Sequence, residues 1–269
     1  MSLAEDLLEL AVATAREAGR MLVDKRPAGG PDVVQTKSSP TDVVTQMDRS
    51  AEALIIERIR EERPGDGFLG EEGGTQAGGS GVRWVIDPID GTVNYLYDLP
   101  DWAVSIAAEV DGAAVAGAVE MPRRGETYTA ARGGGALLHA APGTRELRVN
   151  SHVPLAEALV ATGFGYAAGR RARQAQVLTG VLPGVRDIRR GGSCCVDLCS
   201  LAAGRLDAYF ERGVQAWDTA AGALIVQEAG GRVEGLLGAP AGPDLTIAAG
   251  PGTFEALHDL LAQLDPLRD

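Results

Sequence analysis

The stretch WAVSIAAEVDGAAVAGAVEMP, residues 102–122, leaves the fold little freedom. It is apolar almost throughout, yet Asp111-Gly112 breaks it near the middle with a pair suited to a tight turn. The segment therefore predicts two strands of a hairpin. RGETYTAARGGGALLH (124–139) has the same character, while GFLGEEGG (67–74) predicts a short strand entering a loop and GSGVRWVIDP (79–88) a strand after a glycine-rich connection. Ahead of them, Leu3, Leu7, Leu8, Val12, Ala15, Met21 and Leu22 recur at helical spacing, and Pro27 to Pro31 ends that helix. MDRSAEALIIERIREERPG predicts a second helix, starting near Asp48 and stopped by Pro64-Gly65. The first half thus reads as two helices beside a largely antiparallel sheet.

After about residue 150 the pattern changes. An Arg-rich helix near GRRARQAQVLTGVL, a strand at VRDIRR, a helix at SCCVDLCSLAAG and a strand at LDAYFERG follow one another. WDTAAGALIVQEAGG predicts another helix, closed by Gly230-Gly231, before TIAAG and a last helix, GTFEALHDLLAQL. Such alternation belongs to α/β layers. A chain of 269 residues fits one large domain or two intimate subdomains, and a soft boundary at 150 gives 1–150 and 151–269.

Composition narrows the class. Hydrophobic residues make up 45%, enough for a sizeable core, but aromatics only 4%, so Ala, Val, Leu and Ile must fill it. With 37 acids against 25 Lys plus Arg the formal charge is −12, which argues against a nucleic-acid partner. An anionic substrate would then need bound cations. Cys194, Cys195 and Cys199 crowd into six residues and are poorly placed to pair with one another. They have no histidine arrangement around them that would suggest zinc. A reduced, cytosolic protein is expected, with no signal peptide in the amphipathic first 25 residues and no membrane span.

Acids gather at the junctions between elements: Asp48, Glu71-Glu72, Asp87 with Asp90, and Asp218. Taken singly, each admits a plain reading. Asp48 and Asp218 can be helix N-caps, Glu71-Glu72 a solvated turn, and Asp87-Pro-Ile-Asp90-Gly a β-turn. Taken together they offer the all-oxygen ligands that hard cations such as Mg²⁺ take, often shared with a substrate phosphate. Asp87, at a strand end opposite Glu71, is placed to bridge two ions about 4 Å apart. Gly91 lets the backbone approach a ligand, the Ile89 carbonyl can turn inward, and a helix starting at Thr92 would aim the N–H groups of Gly91 and Thr92 at an anion.

DPIDGTVNY, GEEGG, KSSPTDVVTQMD and WDTAAGALIVQEAGG, in this order from Lys37 to Gly231, resemble the signature segments of the inositol monophosphatase family. The resemblance is to its bacterial inositol-1-monophosphatase branch, within the Mg²⁺-dependent, lithium-sensitive phosphatases that include fructose-1,6-bisphosphatase. It implies a mixed α+β, layered αβαβα sandwich, a homodimer, and two to three Mg²⁺ ions per site. By the same resemblance Glu71, Asp87 and the Ile89 carbonyl hold the first ion, and Asp87, Asp90 and Asp218 the second. Glu71 helps a third, near a loop containing Lys37 and Glu72. Thr92, hydrogen-bonded to Asp48, works with Glu71 to activate a water that attacks phosphorus directly, with no phospho-enzyme.

The substrate side is implied likewise. Gly192, Ser193 and Cys194 match a small-residue stretch that holds sugar or inositol hydroxyls, and Glu211 a hydroxyl-binding acid, with Gly91, Thr92 and Asp218 on the phosphate side. Cys194 and Cys195 depart from the expected alanines; as plain residues they are buried small hydrophobes. Val93-Asn94-Tyr95 resembles the inositol phosphatase pattern, where relatives acting on nucleotides or histidinol phosphate more often carry Lys after the Thr. The implied activity is hydrolysis of inositol-1-phosphate or a similar polyol monophosphate. Fructose-1,6-bisphosphatase and histidinol-phosphate phosphatase activities are the alternatives, as is a protein-binding regulatory factor with residual activity.

Overall fold

The computed structural model describes residues 2–36 and 43–268, so Lys37 lies outside the described residues. Two helices, α1 (Leu3–Asp24) and α2 (Gln46–Glu62), form the first layer, joined through a small antiparallel ribbon of β1 (Val33–Thr36) and β2 (Val43–Thr45). The second layer is a sheet of eight strands: β3 (Gly67–Gly70), β4 (Gly74–Gln76), β5 (Val82–Asp90), β6 (Ala103–Val110), β7 (Ala113–Met121), β8 (Glu126–Ala131), β9 (Gly135–Ala140) and β10 (Gly143–Glu146). Its order is β10-β9-β8-β7-β6-β5-β3-β4, and only β3 and β5 run parallel. A short helix, α3 (Thr92–Leu96), lies between β5 and β6.

Five strands build the second sheet, in the order β12-β11-β13-β15-β14: β11 (Leu159–Thr162), β12 (Asp187–Arg189), β13 (Ala208–Glu211), β14 (Arg232–Glu234) and β15 (Thr246–Ala249). α4 (Ala168–Val181) and α7 (Pro251–Leu264) cover its outer face, while α5 (Cys194–Ala202) and α6 (Ala216–Glu228) lie between the two sheets. The result is an αβαβα sandwich, as the sequence implies.

Side-chain alternation sets the layers. Along β5 and β6, Trp84, Ile86, Val104, Ile106 and Ala108 pack with α1 and α2, and Val85, Ala103 and Ala107 pack with α5 and α6. Both faces of these strands are covered, which is why their sequences are continuously apolar. α6 is enclosed too, and its apolar residues accordingly surround it. Gly222 lets it approach α5: a Cβ there would come within 2.8 Å of Leu198. On α1 the buried stripe is Leu7, Ala11, Ala15, Ala18 and Leu22; Leu3, expected on that face, is 48% exposed. Its first turn is closed by a reciprocal cap between Ser2 and Glu5.

Two local expectations are corrected. Asp87 to Asp90 does not form a free β-turn; β5 stays paired with β6 as far as Asp90 opposite Ala103, with a bulge between Asp87 and Asp90. Pro88 has no N–H to give the ladder, so a bulge is what the strand can accommodate. Asp48 and Asp218 are not N-caps. Thr45 and Gln215 cap α2 and α6, and each aspartate sits in the first turn and accepts the cap residue's backbone N–H. Among the described residues no helix is long and apolar enough to cross a membrane.

Candidate metal centre and active site

Strand β5 carries Asp87 and Asp90 to the edge of a cavity of about 600 Å³, and the start of α6 brings Asp218 to the same place. One carboxylate oxygen from each of the three lies within 4.8 Å of the others. Each aspartate also gives an oxygen to a donor of the chain. The Ile89 N–H donates to Asp87 Oδ1 at 3.0 Å, the Gln215 N–H to Asp218 Oδ2 at 2.6 Å, and the Ser193 hydroxyl to Asp90 Oδ2 at 2.6 Å. The Cys195 N–H adds a second donor to that Asp90 oxygen. Orientation is thereby fixed, and each group contributes one oxygen to the shared cluster.

The electrostatics favour a cation. Burial pushes Asp87 well above the usual carboxylate range, and the charges of Glu71, Asp90 and Asp218 push it further. Asp218 is raised by burial and then by Asp90 and Glu71. Burial also raises Asp90, against the opposing hydrogen bonds from Ser193 and Cys195. Buried like charges of this kind are costly unless positive charge joins them. An all-oxygen donor set suits a hard divalent ion, so the residues present fit the metal that the sequence implies.

Glu71 and Ile89 line the same cavity, with Gly91 and Thr92. Gly91 has φ +97 and caps α3, and a Cβ there would lie 3.1 Å from the Asp101 carbonyl, so the position calls for glycine twice over. The Thr92 hydroxyl lies 3.1 Å from Asp48 Oδ1 and 3.1 Å from the Ile89 carbonyl, and its one proton serves one acceptor at a time. Asp48 itself is buried behind Thr92 and is raised by burial, which hydrogen bonds from Thr45 and Thr92 partly offset. It does not line the cavity.

On the other wall stand Gly192, Ser193, Cys194 and Glu211. Ser193 caps α5 and holds Asp90, so its hydroxyl is already engaged. Burial pushes Glu211 up to about 7 against a hydrogen bond from Tyr209. The three cysteines are free and buried; burial raises the Cys194 thiol strongly, and Cys195 donates its S–H to the Asp218 carbonyl at 3.1 Å. Glu72 does not line the cavity. Asn94 and Tyr95, whose pattern bears on substrate only through the family resemblance, are buried framework: Asn94 donates to the Gly191 carbonyl at 2.9 Å and Tyr95 to the Leu22 carbonyl at 2.9 Å.

Three residues escape the sequence reading. Glu52 is buried beneath the Glu71 loop and accepts the N–H groups of Glu72 at 2.9 Å and Gly73 at 2.6 Å. Its place four residues after Asp48, on the same helix face, is the available signal. Arg170 and Arg190 line the cavity, and nothing in their spacing marks them.

The chain belongs to the inositol monophosphatase family, whose model matches residues 3–264. It is 47% identical over 280 residues to the inositol-1-monophosphatase SuhB of Mycobacterium tuberculosis, covering 100% of this chain and 96% of that one. A solved structure of Mycobacterium tuberculosis SuhB matches with a TM-score of 0.84 at 43% identity over 98% of each chain. The chain is also 42% identical to the Nus factor SuhB of Pasteurella multocida over 229 residues, 84% of each.

Proposed function

We propose that the protein is a Mg²⁺-dependent phosphomonoesterase that hydrolyses inositol-1-phosphate or a similar polyol monophosphate by direct attack of water. The observation that carries this reading is the convergence of Asp87, Asp90 and Asp218 in one cavity with Glu71 and Thr92. Those three aspartates, with Glu71 and the Ile89 carbonyl, would hold two to three ions. When bound, Mg²⁺ supplies positive charge to the phosphate oxygens and acidifies water.

The chain's own groups do the positioning. Thr92, held by Asp48, and Glu71 orient a water and accept its proton; as the new P–O bond forms, the ester P–O bond breaks and the alcohol leaves with a proton from solvent. Chain nucleophiles are disfavoured: the Ser193 hydroxyl is bound to Asp90, and burial holds the Cys194 thiol protonated. Glu211, half-buried and hydrogen-bonded to Tyr209 at 2.9 Å, is the acceptor for a substrate hydroxyl, beside Gly192, Ser193 and Cys194. Phosphate release from inositol-1-phosphate, fructose-1,6-bisphosphate, histidinol phosphate and 3'-phosphoadenosine 5'-phosphate tests the reading. The inositol ester is expected to be turned over fastest, with Mg²⁺ required and lithium inhibiting. Activity that survives EDTA, or a preference for another ester, would refute the corresponding part.

The Pasteurella relative's name favours a second reading, a regulatory factor that binds the transcription machinery. Retention of RNA polymerase by an Asp90→Asn variant that has lost turnover would support it. We likewise propose a homodimer, cytoplasmic placement and a division of the chain near residue 150; light scattering on the purified protein tests the first.

A further inference from the structure

Tyr209 and Glu211 stand two residues apart on β13, the middle strand of the second sheet, so their side chains share the face turned toward α5 and α6. Ala208 and Phe210 take the opposite face, against α4 and α7. Tyr209 is fully buried, and its hydroxyl donates to Glu211 Oε2 at 2.9 Å. A phenylalanine would fill the same space without burying a polar atom, so packing alone does not call for the hydroxyl.

Gly163 completes the setting. β11 and β13 run parallel with Thr162 opposite Phe210, which puts Gly163 next to Glu211. A Cβ on Gly163 would come within 2.1 Å of Cδ, Oε1 and Oε2 of Glu211, although its backbone is not in the left-handed region. Glycine is needed there for space: the carboxylate lies where a side chain would stand.

A second tyrosine–glutamate pair shows what the first lacks. On β8 the Tyr128 hydroxyl donates to Glu126 Oε2 at 2.9 Å, again across two residues. Arg205 closes that pair, donating to Oε1 at 2.6 Å and to Oε2 at 2.8 Å, so both oxygens are engaged within the chain. Glu211 has Tyr209 alone. Its Oε1 makes no hydrogen bond among the described residues, and Glu211 lines the cavity with Asp90 and Asp218, whereas Tyr209 does not. A carboxylate clamped at one oxygen and open at the other is a directional acceptor.

We propose that Tyr209 is a positioning residue for the reaction: its hydroxyl holds Glu211 Oε2 so that Oε1 meets a hydroxyl of the substrate alcohol. Preference for hydroxylated over hydroxyl-free phosphate esters then depends on a buried phenol that acts only through Glu211. The inference rests on the phosphatase reading, and its test separates the two.

Inositol 1-phosphate and phenyl phosphate, whose alcohol part carries no further hydroxyl, are compared as substrates of the wild type and of Tyr209→Phe with Mg²⁺ present. The substitution keeps the ring, so the core stays filled. For inositol 1-phosphate, kcat/KM is expected to fall about tenfold through KM, the scale of one hydrogen bond to a charged group. Its kcat, and hydrolysis of phenyl phosphate, should stay within about twofold. In a Glu211→Gln background, Tyr209→Phe should cost less than about twofold. Equal losses on both esters, an unchanged KM for inositol 1-phosphate, or a full tenfold loss in that background each overturn the proposal. If the wild type releases phosphate from neither ester, the phosphatase reading fails and titration calorimetry with inositol 1-phosphate in Mg²⁺ decides the positioning role. Binding weakened about tenfold in Tyr209→Phe supports it, and equal or absent binding overturns it.

Discussion

At the start of α2 the Thr45 N–H donates to Asp48 at 2.8 Å, and at the start of α6 the Gln215 N–H donates to Asp218 at 2.6 Å. The local motif is the same: an aspartate in the first turn closes the cap and favours the positive end of the helix. The surroundings differ. Asp48 extends its other oxygen to the Thr92 hydroxyl, while Asp218 brings a carboxylate oxygen within 4.8 Å of those of Asp87 and Asp90. Capping and function are therefore not competing explanations for an acid at a helix start. The cap fixes one oxygen, and the fold decides what meets the second.

Substitutions that spare the cap but alter the second oxygen test this contrast. Asp218→Asn is expected to have the largest effect, lowering turnover by roughly 10²-fold or more in a phosphate-release assay. Its melting temperature in EDTA should not fall, because a buried like charge is removed; a large drop would assign Asp218 to structure alone. Asp48→Asn keeps a single acceptor oxygen, which must choose between Thr45 and Thr92. About tenfold lower turnover and about 1 kcal/mol lower stability are expected, and Thr92→Val added to it should cost little more.

Glu52→Gln leaves one oxygen for two N–H groups. The Mg²⁺ concentration for half-maximal activity should rise about threefold while kcat changes less than twofold, about the scale of one weakened hydrogen bond. A kcat loss without that shift would break the link to Glu71. The smallest effect concerns pH. Burial, Glu211 and Asp90 push Asp197 up to about 8, and burial pushes Glu211 up to about 7. Both raised acids bind more protons in the folded chain than in the unfolded one, where carboxyls titrate near 4. Stability is therefore lost as pH rises from about 4 through 8. In EDTA the melting temperature should decline across this window by roughly 2–4 °C per kcal/mol, with a shallower decline in Asp197→Asn.

The layers and the acid floor are legible in the sequence because they repeat strong local signals. β6 and β7 are apolar runs parted by Asp111-Gly112, and the cluster acids each adjoin an apolar stretch. The missed strands lack that signal: β1 and β10 are four residues long and exposed throughout, β11 is also four, and β4 and β14 are only three. Sequence gives Asp48 and Asp218 at the right places but with the wrong cap residue, since Thr45 and Gln215 act one turn earlier. Glu52 reads as a surface helix residue because its burial depends on the loop that folds over it. Asn94 and Tyr95 carry a family pattern that the structure assigns to packing.

α6 is enclosed between two sheets and carries Asp218 at its tip. One rod therefore serves as both keel and tool-holder. Loosening its middle, as Leu224→Ala would, displaces the tip before it melts the hull. Damage to the core should then register first in turnover and only later in a melting curve, making the reaction rate the more sensitive gauge of how well this interior is packed.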